Sequence, residues 1–326
     1  MAFVMLKKAG CSRWLGMVSL AAGLLGPVLP VHAQEGHAVP GTTVTMTPPE
    51  GFAAAPDFAG FAHQEKQGSF LILEFPAEAM GQLATLFANQ DTAAAGFAQK
   101  GIVITGWEEL ATDDGNTVPL LHGTQEANGI TLDKWMALYG GEKTVMVTFQ
   151  ILQANALAAA DVKQAFASIS SGEPATETNQ LSALPFDIDV VAPFRVIQTL
   201  AGSSVLMMAG DLDADPEGIQ PSVIVAYSTT QAGVELKGTA EAALKETDGF
   251  ETAKIETHEL VDFANIEGSL IKGTVIENGK TKQFSQHVAI EEDGRVLRMV
   301  SRMDEAQVEQ AWPAVEEIAS SIYFKK

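Results

Sequence analysis

Cysteine is almost absent: Cys11 is the one thiol in 326 residues, and it precedes the apolar stretch WLGMVSLAAGLLG. A chain so poor in thiols has no disulfide framework and no cysteine-bound zinc or iron–sulfur cluster, so packed cores must hold it together. Long apolar runs are missing as well. The run after Arg13 extends for roughly a dozen residues, short of the ~20 that a spanning helix needs. Positive charge is scarce, with 20 Lys and Arg against 41 Asp and Glu and a net charge of −21. A surface of that sign repels phosphate backbones and anionic lipid, both of which recruit cationic side chains. Nucleic acid is thereby set aside as a partner, and acidity alone names no other.

The N-terminus carries a secretory pattern. MAFVMLKKAGCSR supplies Lys7, Lys8 and Arg13 without an acid, the apolar run follows, and PVLPVHAQ places Val31 and Ala33 three residues and one residue before a cut after Ala33. Residues 1–33 are expected to be a signal peptide, the alternative being an uncleaved anchor, and the mature chain to be periplasmic or secreted. Removal would take Cys11 and three basic residues but no acid, which carries the charge from −21 to −24. The remaining length is enough for two ordinary domains.

Two such domains are written into the chain as a repeat. HGTQEANGITLDKW (His122 to Trp135) and KGTVIENGKTKQFS (Lys272 to Ser285) share Gly-Thr and Asn-Gly at a displacement of 150 positions. In each copy Asn-Gly separates two alternating runs, the signal of a hairpin whose turn needs positive φ. Downstream, KTVMVTFQ matches GRVLRMVSR as a strand and ADVKQAFASI matches PAVEEIASSI as a closing helix with apolar residues three and four apart. Upstream of each hairpin lie a leading strand, a first hairpin and a helical stretch, MGQLATLFANQDTAAAGFAQ in one copy and LKGTAEAALKET in the other. The expected organisation is domain 1 over 41–171, an irregular polar linker over 172–182 and domain 2 over 183–326. The expected fold class is α+β, each domain an antiparallel sheet with helices on its faces.

Pro49-x-Gly51-Phe52, the helix ending at Gln99-Lys100-Gly101, the four-strand run and the closing helix together resemble the PsbP-like fold, an α/β/α sandwich. That superfamily includes the photosystem II oxygen-evolving accessory protein, a Ran-binding import factor and exported bacterial proteins. The resemblance spans both copies, although the second has Ala192-Pro193-Phe194 at the first motif. It implies a binding or assembly factor and not an enzyme, and it transfers no individual functional residue.

Few motifs carry chemistry. GDLDADPEG places Asp211, Asp213, Asp215 and Glu217 at alternate positions, as a calcium loop begins. An EF-hand is excluded, because its sixth position is Pro216 where glycine is needed and its twelfth is Ser222 where a bidentate Glu is needed. A solvated acidic turn is the first expectation, and a weak, irregular Ca2+ site at those four carboxylates the second. GTVIENGKT has one residue too many between its glycines for a phosphate loop and is followed by a strand, so it reads as a hairpin turn. The histidines beyond the signal peptide, His37, His63, His122, His258 and His287, show no metal-binding spacing, and His258 and its neighbour Glu259 point to opposite faces of a strand.

Lys272, Lys280, Lys282, Arg295, Arg298 and Arg302 fall on consecutive strands, where they would either line one region that docks an acidic partner or pair with Glu277, Glu291 and Glu292. Trp135 and Tyr139 share a strand parity and would form a contact patch or, as aromatic strand residues more often do, core. The expected function is that of an exported, non-catalytic binding or accessory factor of the bacterial envelope, engaging an envelope protein or a small ligand and needing no cofactor. Its rival is a metal-independent hydrolase whose Ser, His and acid are dispersed in sequence.

Overall fold

The computed structural model describes residues 36–325 except 128, 173, 174, 214 and 216, so the expected signal peptide lies outside the described residues. Among the described residues no helix is long and apolar enough to cross a membrane.

The first domain begins with β1 (His37–Ala38) and β2 (Val44–Met46), followed by β3 (Ala53–Ala54), β4 (Gly60–His63) and β5 (Gly68–Pro76). Two helices follow, α1 (Met80–Leu86) and α2 (Gln90–Phe97). The sequence reads this stretch as one helix. The side chain of Asn89 instead accepts from Thr92 N–H at 2.9 Å, starting a second helix at a new angle. Then come the four-strand run β6 (Ile102–Ala111), β7 (Thr117–Ala127), β8 (Ile130–Tyr139) and β9 (Lys143–Leu152), the helix α3 (Ala159–Ala167) and β10 (Ser170–Ser171). The segment read as an irregular linker holds a short helix, α4 (Glu177–Ser182), capped by the Thr176 hydroxyl on Asn179 N–H at 3.2 Å. At under two turns it is too short for apolar periodicity to betray it.

The second domain repeats the order. A short β11 (Phe186–Asp187) leads to β12 (Phe194–Leu200), β13 (Ser204–Ala209), β14 (Ser222–Thr229) and the helix α5 (Leu236–Lys245). The four-strand run is β15 (Lys254–Phe263), β16 (Ile266–Glu277), β17 (Lys280–Ile290) and β18 (Arg295–Asp304), and α6 (Val308–Ser320) and β19 (Tyr323–Phe324) close the chain. The first sheet runs β3-β4-β5-β9-β8-β7-β6 and the second β12-β13-β14-β18-β17-β16-β15, every neighbour antiparallel. Strand for strand the two orders are the same. In each copy a short pairing, β2 with β10 and β11 with β19, ties the domain's start to its end.

Each sheet is buried on both faces, so its central strands alternate between two cores. Along β8, Trp135, Ala137 and Tyr139 join the cluster around Val162, Ala165 and Phe166 of α3, whereas Met136 and Leu138 join Phe87 and Ala93 on the α1 and α2 side. In the second sheet Leu297 and Met299 meet Val315 and Ile318 of α6, whereas Phe284 and Val288 meet Ala240 and Leu244 of α5. This is the expected α+β class: two tandem domains, each an antiparallel sheet between helices.

The domains touch through the β12–β13 turn. Ala59 N–H donates to Ala201 O at 2.6 Å, and a Cβ on Gly202 would come within 2.6 Å of that same nitrogen, so only glycine allows the approach. Beside it the Tyr227 hydroxyl bonds the Asp57 carboxylate, and burial together with that negative charge pushes the phenol up to about 12.

Candidate functional site

The acidic loop after β13 is latched in place by protein groups. The Asp215 carboxylate accepts from Ile219 N–H at 3.0 Å and Gln220 N–H at 2.6 Å. Asp213 pairs with Arg195 at 2.7 Å, and Arg195 also donates to Gly210 O. Asp211 and Glu217 are exposed, and the Glu217 carbonyl accepts from Asn278. Lys282, 1% exposed, donates to Gly218 O at 2.5 Å while pairing with Asp304 at 2.7 Å. Among the described residues no three acidic or imidazole groups stand close enough to hold a metal ion. Two of the four candidate calcium ligands are thus engaged by protein donors, and the loop reads as a turn pinned to β17.

The six basic residues divide between the faces of the second sheet. Lys272 and Arg295 lie on the α6 side, Lys272 with its ammonium 4.4 Å over the Trp312 ring and Arg295 paired with Glu291 and Asp293. Lys282, Arg298 and Arg302 face the α5 side. Arg298 donates to Gln286 and Thr247, and burial lowers its guanidinium pKa. Arg302 pairs with Glu277 at 2.6 Å. Lys280 is exposed at the start of β17. Three of the six, Lys282, Arg295 and Arg302, are in ion pairs, with Glu277 and Glu291 among the acids the sequence singles out. Trp135 and Tyr139 are buried, the indole bonded to Asp133 at 2.9 Å and the phenol to Phe166 O at 2.8 Å. His122 stacks on Trp135 at 4.1 Å and bonds the other oxygen of Asp133.

His258 has partners that sequence reasoning missed. Its Nε2 lies 2.8 Å from Ser269 Oγ and its Nδ1 3.1 Å from Glu241 Oε1, the order of contacts in a Ser–His–acid relay. Glu241 comes from α5, His258 from β15 and Ser269 from β16, so no local spacing announces the set. Two features oppose nucleophilic attack. Ser269 is 0% exposed, and it sits mid-strand opposite Leu260 on one side and Val288 on the other. The strand around it is paired on both sides, with β15 and with β17, so its backbone N–H groups serve sheet ladders. The relay fastens α5 to the sheet edge.

A cavity of about 340 Å³ lies between the domains. Its first wall is the end of β5 and the β8–β9 turn, with Glu74, Glu78, Glu142 and Lys143; Gln180 of α4 and Gln198 of β12 close it. Glu74 is already neutralised, accepting from Thr43 N–H at 2.7 Å and Lys143 at 3.0 Å. Glu78 and Glu142 are exposed and lack a hydrogen-bonding or ionic partner among the described residues. A second cavity, of about 230 Å³, opens over Tyr139 and Asp114. There Thr112 and Asn116 hold the Asp114 carboxyl below the usual carboxylate range.

No family profile matches the chain, and no curated relative does. Solved structures with a similarity include LpqN of Mycobacterium tuberculosis, described as involved in cell envelope biogenesis, at 13% identity over 43% of this chain and 83% of that one, TM-score 0.36. Cyanobacterial PsbP from Synechocystis aligns at 10% identity over 38% of this chain and 87% of that one, TM-score 0.28. The immunity protein TplEi of a type VI secretion system from Pseudomonas aeruginosa covers 87% of this chain and 95% of its own at 10% identity, TM-score 0.33. Two of these span about one domain of this chain and the third spans both; likenesses at such scores carry no argument about partner or activity.

Proposed function

We infer that the chain is an exported, non-catalytic binding factor that engages a cationic group of a protein or small ligand between its two domains. One observation carries the reading. The inter-domain cavity is walled by both domains and the helix that joins them, and it presents two unpaired carboxylates, Glu78 and Glu142. Carboxylates held in a recess of a chain with net charge −21 favour an ammonium or guanidinium group and repel anions. Binding there would couple the domains, because the ligand would contact β5 and β12 at once.

Cross-linking the tagged protein in intact cells, then identifying what co-purifies, tests this. A reproducible partner or ligand is expected with the native chain and a loss of at least ~tenfold with Glu78→Gln and Glu142→Gln combined, since removing opposed charge weakens association at both steps. Capture that is indifferent to both carboxylates would refute the cavity as the site.

A metal-independent hydrolase has one observation in its favour, the alignment of Ser269, His258 and Glu241. A fluorophosphonate probe discriminates. The buried Ser269 is expected to stay unlabelled under native conditions, and Ser269→Ala to leave binding unchanged. Stoichiometric labelling lost in Ser269→Ala would establish the hydrolase instead.

A further inference from the structure

The second sheet leaves one long edge open. β15 pairs with β16 alone, and seven of its ten residues are exposed, Ile255 at 40% and Leu260 at 48% among them. A strand in this position presents unpaired N–H and C=O groups along its outer side, a template for another chain. The usual protections are partial here. A register shift between Ile255 and Thr257 bends the first part of the strand away, and beyond it the edge runs regularly from Thr257 to Phe263. The first sheet's edge, β6, is better closed, since Trp107 bonds Phe87 O at 2.7 Å and Glu108 pairs with Lys163 of α3.

Charge decides what the open edge accepts. Glu256, Glu259 and Asp262 line β15 against the single cation Lys254, and none of the three acids is in an ion pair among the described residues. At the β15–β16 turn the strand runs into an open groove of about 430 Å³ bounded by Leu260, Val261, Asp262, Asn265, Ile266 and Glu267. Apolar contacts at Leu260 and Ile266 are therefore bordered by carboxylates. A second copy of this chain would bring Glu259 and Asp262 against the same two acids, whereas a basic strand meets complementary charge along the edge and apolar surface in the groove.

We propose that the Thr257–Phe263 edge of β15, with the adjoining groove, accepts an extended basic segment of a protein partner as an added antiparallel strand. The backbone ladder supplies the hold, Glu259 and Asp262 select Lys- or Arg-bearing segments, and Leu260 packs against an intervening apolar side chain. This surface is separate from the inter-domain cavity and stands or falls independently of it.

The probe is a short peptide of alternating lysine and valine, titrated into the isotope-labelled full mature chain while backbone amide shifts are followed. The expected result is perturbation along β15 and β16, weakened about tenfold by Asp262→Lys or Leu260→Ala, both at exposed positions. The same peptide N-methylated at alternate amides keeps its charge but cannot form the ladder, and it should lose binding. Retained binding by the methylated peptide would overturn strand addition in favour of plain electrostatic adhesion. Shifts confined to Glu78 and Glu142 would overturn the β15 site while supporting the cavity. Absence of any shift overturns the β15 site, and concentration-dependent β15 shifts without peptide assign the edge to a second copy and overturn it equally.

Discussion

Acidification from pH 7.5 to about 4 is expected to remove about 3 kcal/mol of stability through one side chain, His287. The imidazole is 7% exposed on the α6 side of the second sheet, its ring centroid 5.2 Å from that of Phe263. Nδ1 has no hydrogen-bond partner among the described residues. Burial, and next the positive charge of Lys272, push the imidazole pKa down to about 4 from an ordinary 6.5. Between those values the unfolded chain holds a proton that the folded chain refuses, so stability rises with pH across the window. The contribution is fully present above pH 6.5 and is lost as pH falls through about 4. Denaturant midpoints of the native protein and of His287→Leu at the two pH values check this. The variant should lose markedly less, the remaining loss coming from carboxylates that titrate in both proteins. Lys272→Met should relieve part of the effect, since it leaves the burial in place. Equal losses in the native protein and His287→Leu would show that the imidazole is not the sensor.

The duplicated architecture was legible because it rests on periodicity and turn chemistry, which are local. Asn278 and Gly279 adopt φ of 49° and 76°, the turn the dipeptide encodes, and the four-strand run and closing helix follow in each copy. The break between α1 and α2 was harder to see, because the apolar spacing carries across Asn89 and only the cap marks the new helix. The site was much less legible. Glu78 and Glu142 come to one cavity from separate turns, and Gln198 reaches it from the other domain. Nothing in a window of sequence joins them. Likewise the basic residues of β16, β17 and β18 look like a patch in sequence, but alternation sends them to opposite faces and ion pairing engages half of them, Lys282, Arg295 and Arg302. His258 was visible, yet its acid is Glu241 on α5 rather than the adjacent Glu259.

The recurrent Gly-Thr pair carries the second large prediction, because the structure explains why it recurs. Gly273 lies opposite Ile255, where the register of β15 shifts, and Gly123 lies opposite Ile104, where the register of β6 shifts. At each bulge the neighbouring strand presses a carbonyl towards the glycine. A Cβ on Gly273 would sit 2.0 Å from Lys254 O, and one on Gly123 2.3 Å from Val103 O. The obstacle is backbone held in a ladder, so no rotamer change relieves it. Gly273→Ala and Gly123→Ala are each expected to cost about 3 kcal/mol or more, the upper range for overpacking, or to prevent folding of their domain. The recurrent glycines of the two turns are different in kind. Gly129 and Gly279 have φ of 78° and 76° with nothing near a prospective Cβ, so alanine there costs only the left-handed conformation, about 1–2 kcal/mol. Urea midpoints of the four variants should therefore fall into two pairs, the bulge pair far below the turn pair. Equal losses in all four would mean that β6 and β15 can straighten, and the duplication would then be preserving turn geometry alone.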